Sequence, residues 1–388
     1  DYYYVDKTLL IKDILDQGGQ VILFTRPRRF GKTLALTMLR TFFEAEMDRK
    51  GERKDNSHYF DGTKIMAAGE EYTRHIGQYP VIFLSLKSAK QPTFEMAYLS
   101  LVDVIINEYE RHSYVLQSTA LSIGQKELYT QIMNRRAEDS DYAKAIAFLS
   151  KCLEQHHGKK TVILLDEYDV PLENAYFEGF YDRMISFIRS LFESALKTND
   201  SLELAVITGC LRISRESIFT GLNNLRIISV LNDHYAEYFG FVQDEVDAML
   251  DYYGIAEKGE EVKKWYDGYL FGSTEVYNPW SVINYVDSAV SQAVSFPRPY
   301  WSNTSSNSIV RELIQNPDSR AKAEIEHLIS GGTIEKQIHE EITYGDIHQS
   351  QDNLWNFLFF TGYLKAVSQR FEVDTIYLTM KIPNAEIG

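Results

Sequence analysis

The sequence predicts an α/β fold: a three-layer sandwich with a parallel sheet between helices, then a mainly helical region and a winged-helix-like C-terminal region. Three observations predict it. Short apolar runs alternate with amphipathic helical stretches through residues 1–232, the pattern of a doubly wound parallel sheet. One apolar run, 21–24, feeds a basic loop, then Gly31-Lys32-Thr33, then a periodic helix. Another, 162–165, is continuously apolar, as expected of a strand buried on both faces, and ends in adjacent acids, Asp166 and Glu167.

Residues 2–17 read as a lead-in with a short helix, ended by Gly18-Gly19. The first strand, 21–25, opens into the loop Arg26-Pro27-Arg28-Arg29-Phe30-Gly31-Lys32-Thr33. Strand, loop and helix in that order make a phosphate-cradling P-loop. The helix N-terminus turns unpaired N–H groups and a positive dipole end toward an anion. Gly31 admits close approach of the backbone, Lys32 reaches the β- and γ-phosphate oxygens, and the Thr33 hydroxyl holds Mg²⁺. Ala35, Met38, Leu39, Phe42 and Phe43 recur with helical spacing and give one buried face. The general pattern wants glycine where this chain has Arg26, and a GKT tripeptide alone is unspecific. The competing reading is a basic surface turn capping a helix.

The next strand, 80–86, begins after a proline, and helical stretches follow at 94–111 and 125–155. The strand 161–166 ends at the acids of TVILLDEYD, where ligands bind in open α/β sheets. In a P-loop ATPase such a pair divides the work: Asp166 holds the Mg²⁺ shell and Glu167 polarises the attacking water. The competing reading is a strand that ends in solvated acids. An amphipathic helix with Phe177, Met184, Ile188 and Phe192 on one face precedes two more apolar strands, 204–208 and 226–231. Thr208 closes the first of these, in the place of a polar γ-phosphate sensor. Arg212 and Arg215 follow closely, as arginine fingers in cis or across an oligomer, or else as surface ion pairs.

From residue 233 the texture becomes helical and aromatic-rich, broken by Gly240, Gly254, Gly268 and Gly272, which reads as a lid domain over 233–307. Trp265, Tyr266 and Tyr269 invite base stacking, but core packing is the plainer role. Residues 308–388 end in a helix at 354–364 and two strand-like runs, the basis of the winged-helix reading.

The chain has 388 residues, 40 basic and 55 acidic, for a net charge of −15, which argues against a surface built broadly for nucleic acid. The basic cluster at Arg26, Arg28, Arg29 and Lys32 is what a triphosphate explains. Hydrophobic residues make up 44%, enough for ample core and too many for disorder. No apolar run approaches a membrane span, and no secretory apolar region opens the sequence, so a cytoplasmic location is expected. Cys152 and Cys210 lack metal-ligand spacing and read as reduced thiols. His156-His157 reads as a solvated helix end.

Several segments together resemble the bacterial AAA-ATPase-like family: YYYVDKTLLIK (2–12), TRPRRFGKT, LLDEYDVPL, TGCLRISRESIFTGLNN (208–224), WYDGYLFG (265–272), YNPWSV (277–282) and YWSNTSSN (300–307). The resemblance spans essentially the whole chain. In that family the loop reads much as it does here, Arg26 included. It implies kinship with STAND and archaeal-type P-loop ATPases, a catalytic glutamate at Glu167 after a Mg²⁺-binding Asp166, and often a PD-(D/E)XK nuclease-like domain at the C-terminus. Residues 1–388 contain no convincing PD…(D/E)xK arrangement, so that domain, and any nucleic acid it engages, is expected beyond Gly388. The expectation is an ATP- and Mg²⁺-binding switch or motor, compatible with homo-oligomerisation. Its rivals are a nucleotide-holding scaffold without useful turnover and a nucleic-acid-directed module.

Overall fold

The structure, a computed structural model, describes residues 3–48, 51–212, 218–219, 222, 224–292, 295–301, 319–340 and 351–388. Helix α1 (Leu9–Gln17) stops at Gly18, whose φ of 61° gives a left-handed C-cap. Then come β1 (Val21–Thr25), α2 (Lys32–Phe43), a single turn α3 (Glu70–Thr73), β2 (Val81–Ser85) and α4 (Phe94–Arg111). The helical stretch expected over 125–155 is three helices: α5 (Ile123–Met133), α6 (Asp139–Tyr142) and α7 (Ala145–His157). Arg135, at φ 56°, turns the chain out of α5, and Glu138 with Asp141 caps α6. Next are β3 (Thr161–Asp166), α8 (Val170–Phe177), α9 (Tyr181–Phe192), β4 (Leu202–Gly209) and β5 (Leu225–Ile228). Gly179, at φ 80°, separates α8 from α9 where one amphipathic helix was expected.

The strands β1 to β5 form one sheet in the order β2-β3-β4-β1-β5, and every pair is parallel. The α/β expectation therefore holds. Both β1 and β3 are buried at every residue, which is why their sequences are apolar without alternation. The insertion of β4 between them aligns Phe24 with Thr208 and Leu165 with Ile207. Parallel register brings the loop after β1, the acids after β3 and Thr208 to the same carboxyl edge.

Arg111, at the end of α4, ties that helix to the sheet flank. Its Nη2 donates to Glu108 Oε1 at 2.5 Å and to the Val81 carbonyl at 2.6 Å, and its Nη1 pairs with Glu44. Glu44 and Glu108 are 3% and 5% exposed, so the guanidinium links two buried carboxylates; Glu44 also accepts from Arg40 Nε at 2.9 Å, and His112 Nε2 stands 3.5 Å from Glu108. His157 is half-buried and contacts Tyr114, and burial pulls its imidazole down to about 4. The helix end at His156-His157 is thus packed rather than solvated.

Beyond β5 lie α10 (Gln243–Tyr252), α11 (Gly259–Tyr266), the hairpin β6 (Tyr269–Phe271) and β7 (Thr274–Val276), and α12 (Pro279–Ser291). Val246, Leu250, Val262, Tyr266, Val282 and Tyr285 form a second apolar cluster there, so Tyr266 packs in a core. The C-terminal elements are α13 (Ser319–Ile329), β8 (Ile334–Ile338), α14 (Gln351–Phe360), β9 (Lys365–Glu372) and β10 (Thr375–Lys381). Their strands pair antiparallel in the order β8-β10-β9, and Trp355 and Leu378 join the main core that backs the large sheet. The winged-helix reading also needs 308–318 and 341–350, which lie outside the described residues. Among the described residues no helix is long and apolar enough to cross a membrane.

Replacing Arg111 with methionine keeps most of the side-chain volume but takes from Glu108 its guanidinium and leaves Glu44 with Arg40 alone. Urea unfolding at neutral pH is expected to show a loss of about 3 kcal/mol. A loss near zero would mean that Arg40 and solvent already compensate the two carboxylates.

Candidate nucleotide-binding site

The loop between β1 and α2 is shaped by its backbone. Gly31, at φ 80°, is the N-cap of α2, and no side chain caps the helix. Among the described residues nothing lies within 4 Å of a Cβ placed there, so the left-handed angle and not space selects glycine. The first-turn N–H groups of α2 are left for an anion. Lys32 is 6% exposed, and its Nζ donates to the carbonyls of Arg26 and Pro27, both at 2.8 Å. The ammonium thereby closes the loop on itself.

The other basic residues of the loop each have a protein partner. Arg26 is fully buried: Nη1 donates to the carbonyls of Thr25 and Ile228 at 3.0 and 3.2 Å, with Phe271 and Phe239 beside it at 4.9 and 5.3 Å. Its Nε and Nη2 have no hydrogen-bond partner among the described residues, and burial pulls the guanidinium down to about 9. Only its backbone therefore borders the loop. Arg28 Nη2 donates to both oxygens of Glu173 at 2.8 and 3.0 Å. Arg29, at φ 71°, lays its guanidinium 4.3 Å from the centre of the Trp280 ring. Phe30 is buried edge-on against Tyr269 at 4.9 Å and tilted against Phe271 at 5.1 Å. Pro27 is buried where Gly362 passes so closely that a Cβ there would stand 3.0 Å from the proline Cβ. The Trp301 indole N–H donates to the Arg28 carbonyl at 3.2 Å.

At the same sheet edge Asp166 is 1% exposed and receives two hydroxyls. Thr33 Oγ1 donates to Asp166 Oδ2 at 2.7 Å, and Thr208 Oγ1 donates to Oδ1 at 2.6 Å. The next residue, Glu167, has φ 53°, a strained angle for a side chain of this kind and one that concentrates at functional sites. Burial, with Asp166 beside it, pushes the Glu167 carboxyl above the ordinary glutamate range. The structure so brings together Lys32, Thr33, Asp166, Glu167 and Thr208. A hydroxyl and a carboxylate meeting at an exposed helix N-terminus are hard oxygen donors of the kind Mg²⁺ accepts while keeping several waters. Arg212 lies just past β4, with Nη1 3.3 Å from Glu340 Oε2. Arg215 lies outside the described residues.

Sequence reading missed Asp169. It stands at the N-cap position of α8, where an aspartate normally caps its own helix, yet its side chain makes no such bond. Instead Oδ2 accepts from the amides of Cys210 at 2.8 Å and Leu211 at 3.0 Å. Asp169 thus pins the chain that leaves β4 to the chain that leaves β3. The neighbouring Gly209 has no room for a side chain, because a Cβ would lie 2.5 Å from Tyr168 Cε1. Its only sequence signal is a third acid in the LLDEYD run.

Asp169 is 2% exposed, Oδ1 has no hydrogen-bond partner among the described residues, and burial pushes its carboxyl up to about 6. A raised folded value means that the ionised carboxylate costs stability above that value and costs nothing below the unfolded value near 4. Asp169→Asn keeps an oxygen for the two amides and removes the charge. The variant is expected to gain on the parent as pH rises from 4 to 7, by up to about 3 kcal/mol. Urea unfolding of both proteins at several pH values measures it; a difference that does not change with pH overturns it.

Comparison with known proteins follows the same residues. A family model described as "Predicted AAA-ATPase" matches residues 1–219. A protein of Azotobacter chroococcum mcd 1, described as an uncharacterized protein in the vnfD 5' region, is 29% identical over 324 residues, which cover 81% of this chain and 53% of that protein. The chain spans about half the length of that relative. No solved structure matches it. With the model laid over more than half of the chain, and with Lys32, Thr33 and Asp166 gathered inside the matched part, the chain belongs to the predicted AAA-ATPase family.

Proposed function

We propose that the chain binds ATP with Mg²⁺ at the loop 26–33 and hydrolyses it to ADP and phosphate. The observation that carries this reading is the convergence of the Thr33 and Thr208 hydroxyls on the two oxygens of Asp166, beside an uncapped helix N-terminus. When bound, Mg²⁺ neutralises charge on the β- and γ-phosphate oxygens. Thr33 and Asp166 are the residues that would hold it. The loop amides bind the phosphates, and Lys32 exchanges its two loop carbonyls for β- and γ-phosphate oxygens. Glu167, raised in pKa and strained in backbone, orients and deprotonates the attacking water. Thr208, at the end of the strand between β1 and β3, senses the γ-phosphate. Arg212 or Arg215 supplies the finger that meets charge developing on the transferred group; for Arg212 this means leaving Glu340.

Around this site we place an ATPase domain at 1–232, a lid at 233–307 and a winged-helix-like unit at 308–388. The separate apolar cluster of α10 to α12 supports the lid. A cytoplasmic switch or motor, able to form homo-oligomers and serving a nuclease-like module outside this stretch, suits a relative of which the matched part is 53%. A second reading, a nucleotide-holding scaffold without useful turnover, is favoured by the satisfaction of Lys32 within its own loop.

Lys32→Ala is expected to weaken ATP binding by roughly a hundredfold, the value of charged hydrogen bonds to phosphate. Glu167→Gln should bind ATP like the parent and hydrolyse it at least about a hundredfold more slowly. Fluorescent-analogue titration and single-turnover phosphate release separate the two. Unchanged affinity in the first variant overturns the phosphate site, and a parent without turnover establishes the scaffold.

Arg212→Ala or Arg215→Ala should lower turnover by about a thousandfold with little change in ATP affinity. If the finger acts in trans, mixing that variant with Lys32→Ala restores activity. Full turnover in both single variants removes the finger assignment.

A further inference from the structure

One aromatic side chain beside the phosphate loop has no part in the reaction just described. Trp280 lies in the first turn of α12, a helix end fixed on several sides. Asn278 caps it by accepting from the Ser281 amide at 3.2 Å, Pro279 occupies the first position, and Ser281 Oγ donates to Glu386 at 2.8 Å. Val282 and Tyr285 anchor the same helix in the second apolar cluster. The indole itself remains 36% exposed. Arg29 reaches it from the loop, its guanidinium 4.3 Å from the ring centre, and does so from a left-handed backbone angle of 71° that costs a non-glycine residue energy.

Trp280 is therefore one arginine side chain away from the backbone that cradles the phosphates. Each of the two helices carries a further exposed apolar side chain. Leu34, directly after Thr33, is 71% exposed, and Ile283, one turn beyond Trp280 on α12, is 50% exposed. Single exposed apolar residues are ordinary. An indole held on a capped helix end and braced by a strained residue of the phosphate loop is a more specific arrangement. A nucleotide whose phosphates fill the loop must put its base somewhere within reach of it, and a flat ring finds its best partner in another flat ring.

We propose that Trp280, braced by Arg29, is the base-stacking wall of the nucleotide site. This rests on the reading of loop 26–33 as a phosphate site and assigns the other end of the same ligand. Arg29 covers part of the indole, and the base packs on what is left open. Stacking of this kind accepts any base, because every base has a π face. The wall thus separates nucleotides from bare polyphosphates more than it separates ATP from GTP.

The experiment is calorimetric titration of the full chain with Mg-ATP and with Mg-tripolyphosphate, in the parent, Trp280→Ala and Trp280→Phe. Truncation to alanine is expected to weaken ATP about tenfold and to leave tripolyphosphate unchanged, with phenylalanine recovering most of the loss. ATP affinity unchanged by Trp280→Ala overturns the proposal. Parallel loss of both ligands also overturns it, since the indole then only supports the loop. A parent that binds tripolyphosphate as tightly as ATP removes the wall and keeps the phosphate site. A parent that binds neither removes both.

Discussion

A single buried carboxylate holds the site together. Asp166 ends β3, takes the Thr33 hydroxyl from the first turn of α2 on one oxygen, and takes the Thr208 hydroxyl from β4 on the other. At 1% exposure it has little water to lean on, and an unpaired carboxylate there would be costly. The two hydroxyls meet that need and fix three elements at one sheet edge. Sheet order makes this possible: β4 lies between β1 and β3, so a strand-end hydroxyl faces the acid from one side while the loop helix faces it from the other. Asp169 repeats the device one turn further out, with backbone amides in place of hydroxyls.

The charge of the loop is distributed differently from what its composition suggests. Four basic residues in seven positions look like counter-charges gathered for a triphosphate. In the folded chain Arg26 lies inside, Arg28 pairs with Glu173, Arg29 covers Trp280, and Lys32 binds loop carbonyls. The surface left for an anion is chiefly backbone N–H at the start of α2. Such donors are set by the fold and need no rearrangement when charge arrives.

The sequence made local features legible. Strands β1 and β3 were readable because burial on both faces leaves an unbroken apolar run, and α2 because its core face repeats at helical spacing. The gathering of Thr33, Asp166 and Thr208 at one sheet edge followed once the strands were taken as parallel, but the bonding of both hydroxyls to Asp166 did not. What remained hidden depends on partners far away in the chain. Nothing around Arg26 announces that Phe239 and Phe271 will flank it, and nothing around Asp169 announces that its acceptors serve Cys210 and Leu211. Helix breaks at Arg135 and Gly179 escaped notice because apolar spacing runs through both turns, while the backbone angle that ends a helix leaves no trace in that spacing.

The contacts of Pro27 with Gly362 and of Trp301 with the Arg28 carbonyl bear on how the molecule comes into being. The back of the phosphate loop is built from segments that leave the ribosome hundreds of residues after the loop itself. Until they arrive, Pro27 and Phe30 present apolar surface to water, next to a sheet whose parallel pairings are themselves long-range and slow to close. A nascent chain therefore holds its loop incompletely packed until residues 301 and 362 have been made. The loop acquires the support of Trp301 and Gly362 only after all five strands of the large sheet have been made, so its packing is completed later than that of the strands that flank it.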